Sequence, residues 1–76
     1  MLYAFDGRKP QIGKGAYISD QAIVIGDVKI GAGCYVGPGA ILRGDYGTIK
    51  IGSGTAVEEN VTVHAPLRGS ATLGKK

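Results

Sequence analysis

The 76-residue chain has a single cysteine, Cys34, and a single histidine, His64. One thiol cannot close an internal disulfide, and one thiol with one imidazole cannot make a zinc-finger cluster. This cysteine use suits a reducing compartment. No run approaches the roughly 18–20 apolar residues of a membrane-spanning helix. The opening MLYAFDGRKP lacks the basic start and apolar centre of a signal peptide. A soluble, cytoplasmic chain with no membrane partner is expected. Its net charge of +3 comes from Lys and Arg interleaved with acids, apart from a small Lys75–Lys76 cluster. No basic face with aromatic or groove-reading partners emerges, so nucleic acid is not an expected partner. Aromatics are scarce as well, at four Tyr and one Phe against 14 Gly, a balance that points away from an ordinary mixed core and towards something repetitive and tightly turned. A chain this short buries only a little over about 60 % of its unfolded surface, so its own core is marginal.

A strict beat stands out instead. Aliphatic residues fall at Ile12, Ile18, Val24, Ile30, Val36 and Leu42, and each of the first five is followed at the fifth position of its hexad by a small residue: Ala16, Ala22, Val28, Cys34 and Ala40. A helix would scatter residues spaced by six around its axis. In extended chain, residues two and four apart share a side, so a turn in every hexad starts a new short strand with the same inward face. Three such strands make a triangular coil of about 18 residues, and stacked coils pair their strands in parallel. Cys34 then reads as a small buried hydrophobe. The pattern of aliphatic, Gly, two variable residues, small residue and variable residue resembles the hexapeptide-repeat family, and the resemblance implies a left-handed parallel β-helix of about three to four coils. One all-β domain over residues 1–76 is expected. Residues 1–11 cap its first coil, and residues 12–42 keep the first register.

The beat is broken once. After Leu42 it resumes at Ile51, Val57 and Val63, so three residues are inserted within RGDYGTIK. Residues 43–50 are therefore expected to leave the solenoid as a loop carrying Arg43, Asp45 and Tyr46, with residues 51–76 in a second register. At 18 residues per coil, and with the insertion allowed for, His64 comes near the level above Asp45 and Tyr46. Polar residues then gather on one side.

The stretch GAILRGDYGTIKIGSGTAVEENVTVHAP, together with the opening FDGRKP, resembles the γ-class carbonic anhydrases and their relatives in bacterial carnitine and phenylacetate metabolism. The resemblance covers essentially the whole chain. It implies a homotrimer, with Arg43 and Asp45 at a contact between subunits that also supports the site. Glu59, where the family has Asp, is able to pair with Arg43 of a neighbour, and Asn60 belongs to the same segment. His64 matches the first of three zinc-ligating histidines. Glu58 stands where the family has Gln near the metal-bound water, and Glu58 and Tyr46 are the candidate catalytic residues.

The family's other two histidines lie on hexads after the point where this chain stops. Catalytic zinc needs about three protein ligands, so the expectation is a truncated relative that binds no zinc of its own and does not hydrate carbon dioxide. Two other functions fit the solenoid: a structural, trimerising module that stacks end to end through the last coil, and an acyltransferase in which His64 is a general base and coenzyme A lies along the coils.

Overall fold

A computed structural model describes residues 1–65 and 69–74. Strands β1 (Leu2–Tyr3), β2 (Gln11–Ile12), β3 (Tyr17–Ile18), β4 (Ile23–Ile30), β5 (Tyr35–Val36), β6 (Ile41–Ile51), β7 (Ala56–Val57), β8 (Thr62–His64) and β9 (Ser70–Leu73) follow one another. All nine are short or bent, and every strand pairing is parallel. One sheet runs β1-β4-β6-β8, with β2 joined to β4 and β9 to β6, and the other runs β3-β5-β7. Three stacked rungs make this a β-solenoid of three coils. No helix among the described residues is long and apolar enough to cross a membrane. Lys75 and Lys76 lie outside the described residues.

The beat sets the register. Ile12 pairs with Ile30 and Ile18 with Val36, eighteen residues on, so like residues stack. Amides of one coil donate to carbonyls of the next, as in Tyr17 N–H to Cys34 O at 2.8 Å and Gly37 N–H to Val57 O at 2.8 Å. The core is Val24, Val28, Ile30, Val36, Leu42, Ile49, Ile51 and Val57, with Ala22, Cys34 and Ala40 filling corners. The middle coil is the most completely buried. Ile12 on the first coil is 37 % exposed and Val61 on the third is 36 % exposed, while Ile18, Val63 and Leu73 are only partly buried. The expected core positions at both ends of the stack thus lack a covering layer among the described residues. Tyr17 and Tyr35 stack outside the β3-β5-β7 sheet, with ring centroids 5.6 Å apart and planes inclined by 15°.

Residues 43–50 do not leave the sheet as the expected loop. They belong to the 11-residue β6, and the extra length is absorbed as a bulge at a corner. Gly26 still pairs with Gly44, but Val28 pairs with Ile49, so Asp45–Thr48 stand opposite Asp27 alone. An odd insertion reverses which side chains point inward. The reversal falls where two consecutive residues, Gly44 and Asp45, are both buried, and it delivers Ile49 to the core with no exposed surface.

The N-terminal segment adds β1 beside Val24 and Ile25, leaving Leu2 and Tyr3 about half exposed. Beyond it, Asp6 and Gly7 both have positive φ, 53° and 77°, and Phe5 and Arg8 exchange backbone hydrogen bonds of 2.8 and 3.0 Å. This tight Asp-Gly turn returns the chain against the bulge.

Candidate functional site

The bulge is held by side chains from three segments. Arg43 Nη2 donates to Asp45 Oδ2 at 3.1 Å, and the Tyr46 amide donates to Asp45 Oδ1 at 2.9 Å. From the N-terminal turn, Arg8 Nη2 donates to the Asp45 carbonyl at 2.7 Å, while its Nη1 lies 3.9 Å from Asp27 Oδ2. The Thr48 hydroxyl donates to the same Asp27 oxygen at 2.7 Å. Phe5 meets the Tyr46 ring edge to face, with centroids 5.5 Å apart. Arg8, Asp27 and Thr48 were not among the residues expected at the site. Their signal in the sequence was slight, a lone Arg in FDGRKP and two polar corner residues. An open groove of about 750 Å³ runs between Phe5, Arg8, Tyr46 and Thr48, and neither His64 nor Glu58 lines it.

His64 comes near the expected level, on the rung above the start of the bulge. The insertion lengthens the coil to twenty-one residues, so His64 pairs in register with Arg43, one rung up, and the Ala65 amide donates to the Arg43 carbonyl at 3.3 Å. Arg43, Asp45 and His64 are thereby gathered at one end of the β4-β6-β8 face. Tyr46 turns instead to Phe5. Glu58, Glu59 and Asn60 form the corner before β8, above Gly37–Gly39, where the Glu59 amide nitrogen lies 3.3 Å from the place a Gly37 Cβ would occupy. Both glutamates are exposed, and among the described residues neither joins an ion pair. Asn60 has a conformational job: it takes φ 61° on the rung above Gly39, whose φ is 79°, and Asn tolerates that left-handed turn better than most residues.

Asp45 is 8 % exposed. Its burial pushes the carboxyl pKa up, but the Arg43 hydrogen bond, the backbone amides of Tyr46 and of Asp45 itself, and the Arg43 charge together outweigh this and hold it below its ordinary 3.8. A depressed carboxyl stabilises the fold above its unfolded value and loses that contribution as pH falls through the folded one. The share of stability due to Asp45 is therefore complete above 3.8 and fades only below it. Asp45→Asn is expected to be less stable than the parent at neutral pH, with the gap closing below that value. Urea midpoints of the two proteins along a pH series check this, and a constant gap would contradict it.

A β-solenoid of stacked hexads with a charged bulge defines a hexapeptide-repeat protein. Residues 9–44 match the sequence profile of the family described as bacterial transferase hexapeptide (six repeats). The chain is 46 % identical over 63 residues to the carnitine operon protein CaiE of Proteus sp. (strain LE138), covering 83 % of this chain and 32 % of that protein. It is 42 % identical over 73 residues to CaiE of Escherichia coli (strain K12 / DH10B), covering 96 % of this chain and 37 % of that one. The crystal structure of a hexapeptide transferase family protein from Anaplasma phagocytophilum superposes with a TM-score of 0.84 at 35 % identity, over 97 % of this chain and 46 % of that one. The chain is a member of the hexapeptide-repeat family and a homologue of CaiE. It spans about a third of the length of the curated relatives it matches.

Proposed function

We propose that this chain is a trimer-forming hexapeptide-repeat module of the CaiE and γ-carbonic anhydrase-like lineage, contributing Arg43, Asp45 and His64 to a subunit contact rather than a self-sufficient catalytic centre. The supporting observation is the outer surface of the β4-β6-β8 face. Outward positions there carry Ile23, Ile25 and Ile41, with Tyr3 beside Ile25. Ile23 is 37 % and Tyr3 45 % exposed. A contiguous aliphatic patch edged by a charged pair and an imidazole suits burial against another copy.

Zinc does not fit these residues by themselves. The sequence holds one histidine, and among the described residues no group of three or more His, Cys, Asp or Glu could hold a metal ion. Three ligands are the least a catalytic zinc takes from protein. In a trimer, the family resemblance implies that Glu59 meets Arg43 of a neighbour, and it leaves Glu58 and Tyr46 as the candidate catalytic residues.

Light scattering is expected to give three times the 7.8 kDa chain mass, and Ile23→Ser with Ile41→Ser to give one, with the far-ultraviolet β signal retained. A parent of single-chain mass, or an unchanged mass in the double variant, would defeat the assembly. The same preparation is expected to carry zinc far below one ion per chain and to leave carbon dioxide hydration at the buffer rate. Stoichiometric zinc with hydratase activity would overturn that part. Thermal stabilisation by coenzyme A would favour an acyltransferase instead.

A further inference from the structure

Independently of how chains assemble, we propose that the face formed by β4, β6 and β9 binds a phosphate-type oxyanion between Lys29 and Lys50. Val28, Lys29 and Ile30 pair with Ile49, Lys50 and Ile51, rung on rung. The four aliphatics are buried to 3 % exposure or less, so strand alternation turns both lysines outward. Gln11 pairs with Lys29 below, and Thr72 with Lys50 above. The outward row is therefore Gln11, Lys29, Lys50, Thr72, and all four residues are exposed.

Like charges directly opposite on neighbouring strands, roughly 4.8 Å apart, destabilise a sheet. Nothing within the described residues offsets this pair, because their ion pairs are Arg8–Asp27 and Arg43–Asp45. A groove of about 300 Å³ lies along the row, between the lysines, Gly31, Gly52 and Thr72. Two ammonium groups side by side call for a doubly charged acceptor, which a monocarboxylate is not. Phosphate or a phosphate monoester supplies two charges and several acceptor oxygens, enough for both lysines and the Thr72 hydroxyl that line the groove. Lysine serves such an ion as a point charge without demanding planar geometry.

The test is a titration of the whole chain with inorganic phosphate at constant ionic strength, followed by backbone amide shifts and by the melting midpoint. Saturable shifts at Lys29, Lys50 and Thr72 and a raised midpoint are expected. Lys29→Gln with Lys50→Gln should weaken phosphate by about tenfold or more, the scale for lost hydrogen bonds to charged groups. Lys29→Glu provides a second readout. It turns a repulsive pair into an attractive one, so it should melt higher than the parent without phosphate and lose the phosphate response. A parallel titration with glycerol phosphate separates the sources: tighter binding than phosphate assigns the site to a phosphorylated molecule, and equal or weaker binding assigns it to the free ion. The proposal fails if phosphate does no more than chloride at matched ionic strength. It fails equally if the double Gln variant, folded by its far-ultraviolet spectrum, responds as the parent does.

Discussion

Gly44→Ala is expected to abolish or nearly abolish folding. A Cβ there would stand 2.6 Å from the Asp27 carbonyl oxygen, 2.9 Å from its carbon and 3.1 Å from its nitrogen. All three atoms are backbone, in the strand that pairs with β6 at the corner where the bulge begins, so no side chain can swing away to make room. Opposite it, a Cβ on Gly26 would lie 2.5 Å from the Gly44 carbonyl oxygen, so the two strands touch glycine to glycine. Forcing them apart breaks the register of β4 on β6, at a cost on the order of 4 kcal/mol or more. Native stability of roughly 0.05–0.15 kcal/mol per residue comes to about 4–11 kcal/mol for a chain of 76 residues, so the loss takes a third of it at the least and all of it at the lower end. Gly33→Ala separates steric from torsional causes. Gly44 has no positive φ, so its cost is steric. Gly33 has φ 68° and its Cβ would meet nothing within 4 Å, so that change should cost only the torsional share, about 1–2 kcal/mol. Circular dichroism and thermal melts of both variants decide the matter. A Gly44→Ala protein melting within a few degrees of the parent would mean that the corner has room.

Leu42→Ala is expected to cost about 3 kcal/mol, within the range for buried leucines that leave a cavity. Leu42 has no exposed surface and stands on the middle rung, with Val24 on one side and Val63 on the other. For a domain of this size the loss corresponds to roughly 12–24 °C in melting temperature. Ile12→Ala removes as much hydrocarbon from the same type of position, but at 37 % exposure it should cost about 1 kcal/mol or less. Urea unfolding at one fixed protein concentration measures both. Equal losses would mean that the first coil is covered in solution by something the isolated chain does not supply.

The hexad was legible because periodicity is a property of the chain, and Ile12 over Ile30 or Ile18 over Val36 needs only counting. The bulge was half legible. Counting revealed that three residues had been added, but not where the inward face changes parity, since both ends of an odd insertion look alike in sequence. The clue was Ile49, an aliphatic two before Ile51, which belongs to the second register and not to the insertion. Allowing for the three added residues brings His64 near the level above Asp45 and Tyr46, and the lengthened coil sets it on that rung in register with Arg43. The anchoring of the bulge by Arg8 was not legible, because a contact 37 residues away along the chain depends on a turn whose direction no local pattern specifies. Asn60 stands in the segment that the family resemblance assigns to a subunit contact, and its left-handed backbone shows a reason for Asn that is internal to the coil.

With no tryptophan in the chain, its near-ultraviolet optics belong to tyrosine. Tyr17 and Tyr35 come from successive coils and lie almost parallel, 5.6 Å between ring centres, close enough for their electronic transitions to couple. The solenoid thus carries a built-in optical gauge: the dichroism of this phenol pair reports whether the first coil rests on the second, without any label and apart from the far-ultraviolet signal of the strands.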